Sequence, residues 1–92
     1  MHVVELEVAP EHADALAAEY AKSFRPAIAS QPGFRSLTVL RPLGGTRWLL
    51  LIDFIAEEER QAWVRTPLHD QVWSKVAAAC QSFSGSDFEV VA

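Results

Sequence analysis

Residues 47–55 predict a β-strand that is apolar on both sides. Trp48, Leu50, Ile52 and Phe54 fall on one face, and Leu49, Leu51 and Ile55 fall on the other with Asp53, because successive strand side chains alternate. A strand of this kind must be covered on both faces. The chain has 92 residues. That is enough for one layer of helices and leaves nothing for a second sheet. The expected solution is an α+β sandwich whose bare sheet face packs on a second copy in a homodimer.

The rest of the chain supplies the elements for that sandwich. In residues 3–8, Val4, Leu6 and Val8 alternate with Glu5 and Glu7, the period of a strand. Pro10 suits the first turn of a helix. Ala13, Leu16, Ala17, Tyr20, Phe24 and Ile28 recur at three- and four-residue steps, so they share one helical face. Pro26 is expected to kink or end that helix near Arg25. Gln31, Pro32 and Gly33 form a breaker before a second strand over residues 34–41, and Gly44 and Gly45 mark a hairpin loop before residues 47–55. Residues 57–63 read as a short helix with three carboxylates near its N-terminus. Thr66 and Pro67 then read as an N-cap and first helical residue, and His69, Val72, Trp73, Val76 and Cys80 line one face of a second helix. Ser84, Gly85 and Ser86 are expected to end it, with a last strand over residues 87–92. The order βαββαβ argues for a ferredoxin-like four-stranded antiparallel sheet with helices on one face. Glu5 and Glu7 point to the face assigned to the dimer and need cationic partners there, for which Arg35, Arg41 and Arg47 are the candidates.

Composition bounds the partners. Half the residues are hydrophobic and the net charge is −4, with no basic cluster, so a nucleic-acid backbone is not an expected partner. The apolar run from Trp48 to Ile52 falls far short of the roughly 20 residues a membrane-spanning helix needs. The first residues lack the pattern of a secretory signal. The single cysteine, Cys80, permits no intrachain disulfide and fits a cytoplasmic protein.

Four features together resemble the antibiotic biosynthesis monooxygenase superfamily, whose members are dimeric α/β-barrels. They are Gln31-Pro32-Gly33-Phe34 entering the second strand, the apolar third strand, Phe54 nine positions before Trp63, and the turn Thr66-Pro67-Leu68-His69. The resemblance implies a homodimer with one cavity per subunit between helices and sheet. It also implies oxidation of a phenolic or quinol compound by O₂ with no metal and no bound cofactor, or else haem degradation, or no catalysis. Haem degraders of this kind use an asparagine on the first strand, a tryptophan, and a haem-ligating histidine ten positions after it. Here the tryptophan matches Trp63, but Val4 and Trp73 stand at the other two positions, so that route is not expected.

His69 is the leading candidate for a catalytic group. Its helical position turns it toward Val72, Trp73 and Val76, where an imidazole could take a proton from a phenol near neutral pH. The competing reading is a structural imidazole that hydrogen-bonds the loop after Trp63. Trp63 and Trp73 could wall a flat aromatic ligand, or simply fill the core. Tyr20 could close the cavity and donate a hydrogen bond to a substrate oxygen, and core packing is its alternative. Asp53 could be a buried carboxylate active in proton transfer, or be paired with an arginine. His2 lies on the Val4 face and could reach the cavity rim. Metal binding has no support in the spacing of His2, His12 and His69. Cys80 is expected to be an inert core thiol. Small aromatic compounds are therefore the expected ligands, with a non-catalytic small-ligand-binding, haem- or tetrapyrrole-binding, or structural module as the alternative.

Overall fold

The computed structural model describes all 92 residues. Strands β1 (His2–Val8), β2 (Phe34–Leu40), β3 (Arg47–Phe54) and β4 (Cys80–Asp87) form one antiparallel sheet in the order β2-β3-β1-β4. A 3-10 turn (Pro10–His12), α1 (Ala13–Glu19), a π turn (Tyr20–Phe24) and α2 (Arg25–Ala29) connect β1 to β2. Helices α3 (Glu57–Val64) and α4 (Pro67–Ala78) connect β3 to β4. This is the ferredoxin-like arrangement that the sequence predicts.

One sheet face carries the core. Val4, Leu6 and Val8 of β1, Leu37 of β2 and Trp48, Leu50, Ile52 and Phe54 of β3 pack against Leu16, Tyr20, Phe24 and Ile28 below the first helical segment and against Trp63, Val72 and Val76 from α3 and α4. Burial along β3 alternates as strand geometry requires: the core-facing residues are buried, while Leu49, Leu51 and Asp53 opposite are half-buried. On that second face Val3 lies opposite Leu51, and Glu5 opposite Leu49. Its carboxylates are answered within the chain. Arg47 stands 3.9 Å from Glu5, Thr46 Oγ1 donates to Glu7 at 2.7 Å, and Arg35 lies 3.5 Å from Asp53. Arg41 turns to the helical side instead, bonding Asp14 at 2.9 Å and lying 5.7 Å from the Trp48 ring centroid.

Two elements differ from expectation. The regular α-helix is interrupted just before Arg25, as expected, but the interruption is a π turn and the helix does not end there. The Arg25 N–H bonds Tyr20 O five residues back, and the backbone continues helically to Ala29 with Ala27 and Ile28 buried. A proline removes one donor from the helical ladder; the wider π turn ahead of it re-pairs the neighbouring carbonyls, and burial of Ile28 holds the continuation in place. The last strand is also displaced. It spans Cys80–Asp87 rather than residues 87–92, pairing Cys80 with Val8, Phe83 with Leu6, Gly85 with Val4 and Asp87 with His2. Ser84 and Gly85 are poor strand formers locally, but the free edge of β1 supplies a full row of backbone partners, and that context outweighs propensity. Cys80 consequently leaves the helix and opens β4. Its half-buried thiol donates to Val76 O at 3.2 Å, and burial pushes its pKa up, which keeps it protonated and unreactive.

Candidate active site

The junction between α3 and α4 builds the site. Thr66 has extended backbone angles, Pro67 follows at the helix start, and Thr66 Oγ1 accepts from the His69 N–H at 3.1 Å while donating to Trp63 O at 2.8 Å. One hydroxyl therefore ties the end of α3 to the first turn of α4. It fixes the Trp63 and His69 rings edge to face, 5.1 Å apart at 87°. One turn further along α4, Trp73 stacks on His69 with centroids 6.2 Å apart and planes 11° from parallel. Phe24 meets both tryptophans at 6.1 and 6.3 Å, and Phe83 of β4 meets Trp73 edge-on at 5.1 Å.

These rings enclose one side of a cavity of about 210 Å³ between helices and sheet. Val4, Leu50 and Ile52 floor it, Val64 closes one corner, and His2, Gly85 and Arg60 complete the wall. The lining is mainly apolar. A cavity of roughly 150 Å³ lined by apolar side chains holds benzene, so this one suits a compound of one or two rings. The His69 side chain is 16% exposed, and its Nδ1 lies 3.3 Å from Asp70, a contact that does not engage Nε2.

A charged chain runs along the cavity wall. Arg60 Nε reaches both carboxylate oxygens of Glu57 at 3.1 Å, its Nη2 lies 4.0 Å from Asp87, and Asp87 accepts from or pairs with His2 Nδ1 at 2.8 Å. The Arg60 hydrogen bond holds the Glu57 carboxyl below its ordinary pKa, and the His2 hydrogen bond does the same for Asp87. Arg60 is raised in turn by its bond to Glu57.

The structure thus brings His69, Trp63 and Trp73 together and leaves two expected site residues elsewhere. Tyr20 is a correction. It is 3% exposed and packs on Phe24 at 5.3 Å, and Phe24 rather than Tyr20 reaches the cavity. Its hydroxyl is buried without a hydrogen-bond partner, and burial, helped by nearby Cys80, pushes its pKa strongly upward. Asp53 is the second correction. It points to the opposite sheet face beside Arg35, because it is one residue out of phase with the core-facing Ile52 and Phe54. Sequence reasoning missed Arg60, which follows the three carboxylates of the short helix over residues 57–63, and Phe83 and Gly85, hidden by the displaced strand. His69 does not hydrogen-bond the loop after Trp63 through its ring; its backbone N–H does so through Thr66. No three His, Cys, Asp or Glu side chains converge as a metal site, and no helix is long and apolar enough to cross a membrane.

A helix-roofed antiparallel sheet with an aromatic, histidine-bearing cavity in between defines a class of small α+β pocket proteins. Within that class, the sequence model described as antibiotic biosynthesis monooxygenase matches residues 1–73, and the chain belongs to that family. No curated protein sequence matches it. Among solved structures it is similar to SnoaB, a cofactor-independent oxygenase from Streptomyces nogalater, at 16% identity and a TM-score of 0.85, covering 99% of this chain and 91% of that one. It is similar to MhuD, solved with two manganese protoporphyrin IX molecules per active site, at 26% identity and a TM-score of 0.80, covering 99% and 93%. A protein of unknown function from Nitrosomonas europaea is 23% identical with a TM-score of 0.78, covering 99% and 87%.

Proposed function

We propose that this protein is a homodimeric, cofactor-independent monooxygenase that oxidises a small phenol or quinol with O₂. The observation that carries the reading is His69, stacked on Trp73 and edge-on to Trp63 at an apolar cavity of about 210 Å³. An aromatic substrate would lie against these rings, with His69 as its base or anchor. Loss of the hydroxyl proton gives an electron-rich phenolate that passes an electron to O₂. One oxygen atom then bonds to a ring carbon, and the other leaves as water with the hydroxyl and ring-carbon hydrogens, giving the quinone. SnoaB, named as a cofactor-independent oxygenase, supports the reaction class.

Dimerisation follows from the uncovered face of the sheet. Val3, Leu49 and Leu51 form its apolar centre, and Glu5, Asp53 and Glu7 are each answered by Arg47, Arg35 and Thr46, so the face can be buried without stranding a carboxylate. Leu51→Lys is expected to give a monomer by analytical ultracentrifugation. A wild-type chain that is monomeric in dilute solution would sink this part.

The catalytic part is tested by O₂ uptake with a panel of hydroquinones. Turnover is expected in the wild type and should vanish in His69→Ala with the dimer intact. A cavity that binds these compounds without consuming oxygen would leave a non-catalytic binding module. The likeness to MhuD favours a tetrapyrrole as the second reading, and a Soret band on haem addition that is lost in His69→Ala would establish it. The cavity volume and the presence of Val4 and Trp73 at the two haem-degrading positions weigh against it.

A further inference from the structure

His69 is not the only imidazole at the cavity. His2 reaches it from the sheet, whereas His69 reaches it from the helical layer. His2 is the first residue of β1 and lies opposite Ile52 on β3 and Asp87 on β4. Its Nδ1 sits 2.8 Å from the Asp87 carboxylate, and its side chain is 17% exposed. The ring lies over Gly85. A Cβ at that position would stand 3.0 Å from both Cε1 and Nε2 of His2, tighter than ordinary van der Waals contact, so the missing side chain makes room for the imidazole.

The tautomer follows from this geometry. A carboxylate only accepts hydrogen bonds, so Asp87 selects the form with the proton on Nδ1. Nε2 is then a free acceptor. Around the ring stand Asp87 of β4, the Arg60–Glu57 pair of α3 and the Met1 ammonium, which donates to Phe88 O beside Asp87; β3 contributes Ile52, and His69 of α4 lies on the helical wall. His69 has a weaker orienting partner, since Asp70 is 79% exposed at 3.3 Å.

We propose that His2, oriented by Asp87 and seated on Gly85, is the group that accepts the hydroxyl proton of the phenol, with His69 left to hold the ring and receive the second proton. This rests on the reading of the cavity as a phenol-oxidising site. In the proton-transfer step the substrate O–H bond breaks, its electron pair stays on oxygen as phenolate, and a new N–H bond forms at His2 Nε2. No electron leaves the substrate until O₂ accepts it in the following step. His2 is the catalytic residue of this step and Asp87 a positioning residue.

The probe is 4-nitrophenol, whose phenolate is coloured, titrated at a pH just below its own ionisation. Tryptophan fluorescence quenching reports entry to the cavity beside Trp63 and Trp73. In the wild type, quenching should be accompanied by a gain in phenolate absorbance, a shift of the probe's ionisation to lower pH. His2→Ala should keep the quenching and lose the shift. Asp87→Asn should keep the quenching and reduce the shift, a change that a purely structural role for Asp87 would not produce. Quenching with the shift intact in His2→Ala overturns the assignment and leaves the proposed oxidation standing, with His69 as its base. No quenching by any phenol overturns both. The tautomer gives an independent check on the unmodified protein by long-range ¹H–¹⁵N correlation. A proton on Nδ1 of neutral His2 supports the dyad, and a proton on Nε2 overturns it.

Discussion

His69 and Trp73 face each other one helical turn apart on α4, their ring planes 11° from parallel. The stack is not self-supporting, because Trp73 is itself braced edge-on by Phe24 and Phe83. Trp63 closes the other flank of the imidazole at 5.1 Å. The orientation of His69 is therefore set by four aromatic side chains from four different elements of the chain, and its chemistry depends on core packing.

Trp63 is the largest of these rings that is fully buried, at 2% exposure. Truncating a buried tryptophan to alanine removes its transfer energy and leaves a cavity, a loss of about 3–5 kcal/mol. Trp63→Ala should lower the urea midpoint accordingly, and Trp63→Phe should lower it much less. Equal losses in the two variants would show that ring packing is not what the position supplies.

Thr66 caps α4 and binds α3 through a single hydroxyl. Thr66→Ala should cost about 1 kcal/mol, the usual worth of an N-cap, and Thr66→Ser should restore most of it. Chemical denaturation of the three proteins checks the stability. Altered 4-nitrophenol affinity in Thr66→Ala alone would show that the cap also positions His69.

The Tyr20 hydroxyl is buried and unpaired. Leaving such a group unsatisfied costs roughly 1–3 kcal/mol, so Tyr20→Phe should raise stability, by an amount at the low end of that range. Because Tyr20 does not line the cavity, the same substitution should leave phenol binding unchanged. A weakened affinity would return Tyr20 to the site.

Stability should fall in acid along a path set by Asp87 and Glu57. Both carboxyls have folded pKa values below their ordinary values of 3.8 and 4.5, Asp87 through its hydrogen bond from His2 and Glu57 through that from Arg60. A lowered folded value means that the native state binds fewer protons than the unfolded chain, so the stabilisation is complete above the ordinary values and is lost as pH falls through the folded ones. Asp87→Asn should flatten its share of that acid slope in urea titrations. Both carboxyls are well exposed, so added salt should shrink the effect. A slope unchanged in Asp87→Asn would remove Asp87 from the account.

Much of the site was legible along the chain where local rules govern. The Thr66–Pro67 cap, the placement of His69 and Trp73 one turn apart, and the Trp48–Phe54 core face all follow from helical and strand periodicity acting on neighbouring residues. Asp53 illustrates the boundary. Its phase opposite Ile52 and Phe54 was readable, but its partner Arg35 comes from β2, and only the sheet brings the two within 3.5 Å.

By itself the sequence determined the order of elements and the core-facing sides of β1, β3 and the first helical segment, because these are consequences of short-range spacing. Tertiary structure decided the position of β4, the continuation of the helix past Pro26, and the meeting of His2 with Asp87 across 85 residues of chain. Those outcomes depend on which backbone edge is left unpaired and on which rings remain to be buried. They are properties of the assembled sheet and core, and no local window contains them.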